Sequence, residues 1–199
     1  VTWGNSKYGA DSSAVTLENV QTIYSTAKAF AALKEDGSVI TWGDENSGGD
    51  SSAVTLENVE TIYSSRSSFR GAFAALKTDG SVVTWGDKNY GSDSSAVVLE
   101  NVESIYSNDQ AFAALKTDGS VVTWGVGPAR DSSTVMLDHV KTIYSTAHAF
   151  AALKEDGSVL TWGFGDYGGD SSNVILENVQ SIYATDSAFA ALKEDGSVV

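Results

Sequence analysis

Residues 29–43 read AFAALKEDGSVITWG, and the rest of the chain can be placed around that stretch. Residues 29–34 are short and apolar, residues 38–42 are β-branched and end in Trp42, and Asp36-Gly37 lies between them. Asp-Gly flanked by strand formers is a strong hairpin signal, with both central turn positions expected at positive φ. Along the first strand Phe30 and Ala32 point one way, Ala31 and Leu33 the other. Both faces of the hairpin are therefore apolar, so it has to be sandwiched between neighbours.

The neighbours are copies of itself. The pattern AFAALK-x-DGSV returns at residues 72–82, 111–121, 149–159 and 188–198, and Thr-Trp-Gly surrounds each of Trp3, Trp42, Trp85, Trp124 and Trp162. Subtraction gives Trp separations of 39, 43, 39 and 38 residues. Between each triplet and the next AFAALK lies Asp-Ser-Ser followed by spaced apolar residues, Val15, Leu17, Val20 and Ile23 in the first copy. One repeat domain, 1–199, thus divides into units at 1–39, 40–82, 83–121, 122–159 and 160–199. One small sheet per unit, covered on both sides by adjacent sheets, predicts an all-β fold, a β-propeller of five short blades. An open β-solenoid-like repeat array is the alternative. The chain stops at Val198-Val199, partway along a strand whose missing half is Val1-Thr2-Trp3-Gly4, so the expectation is a ring closed by pairing of these half-strands. The five Trp and Phe30, Phe73, Phe112, Phe150 and Phe189 are expected to form the framework.

AFAALKEDGSVITWG resembles the core signature of the repeats first known from the regulator of chromosome condensation: an apolar strand, an Asp-Gly turn and a strand ending in Trp-Gly. The resemblance extends over all five units and implies a β-propeller. That family's usual repeat is longer and its usual ring has seven blades; its common Gly-Gln-Leu-Gly after Trp-Gly is replaced here by GGDSS at residues 48–52. Its exchange activity and chromatin contacts depend on surface loops and a basic character that this chain lacks, so the resemblance is carried over for the fold alone.

Composition narrows the function. Among 199 residues, 12 Lys and Arg stand against 26 Asp and Glu, a formal charge of −14, while 42% are hydrophobic. That is a globular composition whose charge repels phosphate backbones, which sets nucleic-acid binding aside. No window approaches the roughly 18 uninterrupted apolar residues of a membrane-spanning helix, and there is no cysteine to supply a disulfide, thiolate ligand or nucleophile. His139 and His148 occur once each in different blocks, no nucleophile elbow is present, and catalysis is not expected.

Differences among the five copies concentrate in two loops, one after each Trp-Gly (residues 5–10, 44–49, 87–92, 126–130 and 164–169) and one after each Tyr-Ser or Tyr-Ala (residues 26–28, 65–71, 108–110, 146–148 and 185–187). An up-down strand path puts both loops on one face and the uniform Asp-Gly turns on the other, so any binding surface is expected on the variable face. Tyr8, Tyr90 and Tyr167 precede glycines there and read either as stacking platforms for sugars or as rings lying on their own blades. Asp44, Asn46 and Asp50, and again Asp87, Asn89 and Asp93, space oxygen ligands as calcium loops do, though turn formation is the competing use. Arg66, Phe69 and Arg70 fall in the one insertion and carry two of the three arginines, suited to a carboxylate or an acidic patch. The expected function is a non-catalytic binding module presenting variable loops to a protein or glycan partner, with no cofactor other than a possible calcium ion. The alternative is a structural unit of a surface protein or fibre that self-associates through its half-strands, and a bacterial surface or extracellular location is expected.

Overall fold

The computed structural model describes residues 1–65, 67–133 and 135–199. Strands β1 (Val20–Ser25), β2 (Ala29–Lys34) and β3 (Val39–Gly43) form the first antiparallel sheet. The next three are β4 (Val59–Ser64), β5 (Ala72–Lys77) and β6 (Val82–Gly86); β7 (Val102–Ser107), β8 (Ala111–Lys116) and β9 (Val121–Gly125); and β10 (Val140–Ser145), β11 (Ala149–Lys154) and β12 (Val159–Gly163). The fifth sheet is β13 (Val179–Ala184) with β14 (Phe189–Lys193). Each sheet is a meander, and the AFAALK strand is the middle of every three-stranded one. This is the propeller architecture expected from the repeat.

Burial follows the two-faced reading. In the first sheet Ala29, Ala31 and Leu33 pack against Leu56, Val59, Ile62, Phe73, Ala75 and Trp85 of the second. The same pattern joins the second sheet to the third, the third to the fourth and the fourth to the fifth. Phe and Trp pair directly across the ladder, Phe30 with Trp42 and likewise in the next three sheets, and their rings stack at 5.1–5.3 Å. Each indole N–H then donates to a loop carbonyl of the preceding unit, Trp42 to Gly9, Trp85 to Gly48, Trp124 to Gly91 and Trp162 to Ala129, at 2.9–3.1 Å. Gly48 has to be glycine: its φ is +97°, and a Cβ would stand 2.6 Å from the Phe73 ring.

The Asp-Gly hairpins differ in detail from the expected turn. Only the glycine takes positive φ, 77° at Gly37, and Asp36 does not. Gly37 N–H donates to the Lys34 carbonyl and Lys34 N–H to the Ser38 carbonyl, a three-residue connection with one left-handed glycine rather than a two-residue turn with two. The aspartate serves instead as an acceptor for the N–H and hydroxyl of Ser38, at 3.0 and 2.6 Å. The turn also ties blades together: the Gly37 carbonyl accepts the Val59 N–H, and Gly80, Gly119 and Gly157 accept from Val102, Val140 and Val179.

Closure through the terminal half-strands is absent from the structure. Val199 exchanges both backbone hydrogen bonds with Ala191 and Leu192 bridges Val198, so the C-terminal residues continue their own hairpin. Val1 to Gly4 belong to no sheet and Trp3 is 86% exposed, which corrects the framework role expected of it. The physical reason is that the chain's two end faces stay apart: Ile23 on the first blade is 53% exposed and Tyr183 on the last 63%, whereas Ile62, Ile105, Ile143 and Ile182 are buried.

Two predictions follow from this packing. Phe112, fully buried between sheets, costs about 3–5 kcal/mol when replaced by Ala, read from urea unfolding, while Phe189→Ala on the last blade costs clearly less. Ser38 bonds, hydroxyl first and N–H second, hold the Asp36 carboxyl below the usual carboxylate range, and Asp79, Asp118, Asp156 and Asp195 are lowered in the same way. A carboxyl whose folded pKa is depressed contributes stability that is full above its unfolded pKa and is lost as pH falls through the folded one. Urea midpoints are therefore expected to stay level near neutrality and fall as pH drops below the ordinary aspartate range, less steeply in a variant with several of these residues changed to Asn.

Candidate functional site on the variable loop face

Both variable loops lie on one face, and backbone bonds fix them to each other. After each Trp-Gly the chain enters a short 3-10 turn, as at Ser6–Tyr8, Glu45–Ser47, Lys88–Tyr90, Pro128–Arg130 and Gly165–Tyr167. The residue that enters it donates its N–H back to the neighbouring loop: Asp44 to Lys28, Asp87 to Gly71, Val126 to Gln110 and Phe164 to His148. Thr26 and Thr146 hydroxyls reach the other way, to the carbonyls of Ser47 and Tyr167 at 3.0 Å. The Asp-Gly turns stand at the opposite ends of the strands.

The loops of blades three, four and five are joined by a ladder that the repeat does not specify. Asp109 N–H donates to the Ala147 carbonyl at 3.1 Å and Ala147 N–H to the Asp186 carbonyl at 2.9 Å. Around this ladder lies a cavity of about 320 Å³ lined by Ser68, Asp109, Ala147, His148, Tyr167, Asp186 and Ser187. Tyr167 meets His148 edge to face at 4.5 Å, and Phe164 meets the same imidazole at 5.8 Å. Beside Asp109, the walls thus bring the Asp186 carboxylate, an imidazole and a phenol around an open centre, suited to a cationic or hydrogen-bond-donating group.

The individual candidates separate. Tyr167 reaches the cavity. Tyr8 is exposed with the Lys28 ammonium 5.2 Å from its ring centre, so one of its faces is taken by a cation of its own chain. Tyr90 packs against the core between the second and third sheets. In the insertion, Ser68 lines the cavity, Phe69 is 71% exposed, and Arg70 turns back to Asp87 at 3.1 Å rather than outward; Arg66 lies outside the described residues.

The calcium candidates are used locally. Asp44 accepts the Ser47 hydroxyl at 2.8 Å, and Asp87 accepts the Asn89 N–H as well as Arg70. Asp50 and Asp93 each close a turn on the serine two residues ahead, Ser52 and Ser95, whose hydrogen bonds lower both carboxyls. Asn46 and Asn89 sit exposed in the 3-10 turns. Among the described residues no three His, Cys, Asp or Glu side chains gather around a point that could hold a metal ion. The Asp-x-Asn spacing is read more simply as turn capping.

The sequence pattern points to the variable face but not to the gathering of Asp109, His148 and Asp186 on it. Their signal was present as variation in the loop after Tyr-Ser or Tyr-Ala; what joins them is a backbone ladder between units, which no spacing within one unit encodes. Among the described residues no helix is long and apolar enough to cross a membrane.

No protein-family model matches this chain, and no curated protein matches it in sequence. Solved structures do match in shape. The ectodomain of the Physcomitrella patens receptor kinase CR4 superposes with a TM-score of 0.60 at 15% identity, over 85% of this chain and 48% of that one. Yeast RCC1 (Prp20), solved bound to Kap60, gives 0.57 at 19% identity, over 85% and 53%. Prp20p from Saccharomyces cerevisiae, described with its binding to Gsp1p and histones, gives 0.51 at 20%, over 76% and 47%. The chain therefore spans about half the length of these structures, and it shares with them the fold of the chromosome-condensation-regulator type of β-propeller repeat.

Proposed function

We propose that the chain is a non-catalytic binding module whose variable face receives a cationic side chain of a protein partner. The observation that carries this reading is the cavity in which Asp109, Asp186, His148 and Tyr167, drawn from several blades, surround one opening. A lysine or arginine entering it meets the Asp186 carboxylate and an aromatic ring, and the net charge of −14 attracts basic partners at long range. The similar fold of Prp20, solved bound to Kap60 and described as binding Gsp1p and histones, supports partner binding in general. A protein partner is preferred to a glycan because Tyr90 packs against the core and Lys28 covers one face of Tyr8.

Calorimetric titration with a decalysine peptide tests this. Saturable binding is expected, weakening steeply with added salt because exposed charges are screened within about 8–10 Å at physiological ionic strength. Asp186→Asn should weaken it roughly tenfold, the scale of losing a charge-assisted contact. Asp118→Asn, on the opposite face, should leave it unchanged. Absence of binding, or equal loss in both variants, overturns the reading; saturable binding of a neutral oligosaccharide instead transfers the face to a glycan.

A further inference from the structure

We infer that a groove beside β9 is a binding site for a small monocarboxylate, whose charged group pairs with Lys88 and Arg130 while its apolar body lies on Val97 and Val126. The groove shares no residue with the cavity around the Asp109–Asp186 ladder. Its plan recurs along the array. Beside β6, the last strand of the second sheet, Glu45, Asp50 and Val54 of the entering connection join Trp85 and Ser92 around a cavity of about 380 Å³. Beside β9, Lys88, Asp93 and Val97 join Trp124 and Arg130 around a cavity of about 480 Å³. Hydrogen bonding and turn position fix the equivalence. Glu45 and Lys88 each open the 3-10 turn after Trp-Gly, and the carbonyls of Ser92 and Arg130 each accept the hydroxyl of the strand threonine, Thr84 or Thr123.

Only this groove carries cations at both places. The 3-10 turns open on Ser6, Glu45, Lys88, Pro128 and Gly165, and the threonine hydroxyls donate to Ala10, Gly49, Ser92, Arg130 and Gly169. Arg130 is the one arginine outside the insertion. The chain makes room for it by shortening the loop: residues 126–130 number five where residues 87–92 number six. The turn then ends on Asp131 at φ −99° instead of on a left-handed glycine such as Gly91. In a loop of the usual length the place is tight, since a Cβ at Gly49 or Gly169 would stand 2.6 or 2.5 Å from the backbone of Gly43 or Gly163.

Both cations are uncommitted. Among the described residues neither makes an ion pair, and the carboxylates beside them hold turns, Asp93 accepting the Ser95 N–H at 3.1 Å and Asp131 the Ser133 N–H at 3.0 Å. The Trp124 N–H and the Thr123 hydroxyl are engaged with Gly91 and Arg130 carbonyls. An ammonium and a guanidinium therefore remain to meet a ligand, and the guanidinium fork matches the two oxygens of a carboxylate. Asp93, Asp131 and the net charge of −14 repel a second negative charge, which favours a monoanion over a phosphate dianion. Ala96, Val97 and Val126 give the rest of the ligand an apolar wall, and the volume falls in the range of roughly 300–1,000 Å³ usual for small organic molecules.

Backbone-amide NMR titration with hexanoate and phenylacetate at constant ionic strength tests this, with hexanamide and inorganic phosphate for comparison. Saturable shifts are expected at Lys88, Val97, Val126 and Arg130. Lys88→Gln with Arg130→Gln, both exposed side chains, should keep the parent's unfolding midpoint and weaken binding roughly tenfold or more, the scale of losing a charge-assisted contact. Lys7→Gln with Lys141→Gln removes the same charge from exposed places outside the groove and should leave the affinity unchanged. No saturable shift at these residues with either carboxylate overturns the inference, as does equal loss in both double variants. Hexanamide binding as tightly as hexanoate overturns the charge pairing on which the site rests, and phosphate binding as tightly overturns the choice of a monocarboxylate.

Discussion

The structure depends on the seat of a tryptophan against the neighbouring unit. Trp85 stacks on Phe73 of its own sheet, and its N–H is satisfied by Gly48, in the loop that belongs to the unit before. A buried indole without a partner costs about 1–3 kcal/mol, so the ring cannot occupy that seat unless the preceding loop is folded, and the loop glycine can approach only because it lacks a side chain. Each blade is in this way completed by its predecessor. Because both faces of every sheet are apolar, a single unit has no stable state of its own, and cohesion runs along the array from neighbour to neighbour.

That dependence explains why the two sides of the molecule vary so differently. On one side the Asp-Gly turns of the first four blades each carry a backbone bond to the next blade, Gly37 to Val59 and onward to Gly157 and Val179, while the aspartate of the first holds Ser38 in place. A change there loosens a junction as well as a turn. On the other side the framework asks only for a glycine or Ala129 whose carbonyl meets an indole, and a loop entry that returns its N–H across the gap. Residues between those fixed points are free to differ, and this is where Asp109, His148, Tyr167 and Asp186 come together.

What the sequence made legible is what repeats. The AFAALK hairpin, its two apolar faces and the shared face of the variable loops all follow from period-two alternation and fivefold recurrence, and the sheets bear them out. The turn type was not legible, because Asp-Gly serves both a two-residue turn and a three-residue connection, and the choice rests on whether Asp36 caps Ser38. Asp44 and Asp87 looked like metal ligands because short turns and calcium loops use the same residues; only the Ser47 hydroxyl and the Arg70 guanidinium, brought in by folding, reveal their use. The complementarity of the two chain ends was visible as text. Whether they meet depends on the curvature summed over four junctions, which no local pattern encodes.

The same dependence marks the outer faces of the array. Ile23 of the first blade and Tyr183 of the fifth lie open to water, whereas Ile62, Ile105 and Ile143, at the place of Ile23 in the inner units, are buried between sheets. Both outer faces keep the chemistry of an inter-blade junction, because the repeat specifies one side-chain pattern for every unit whether or not a neighbour covers it.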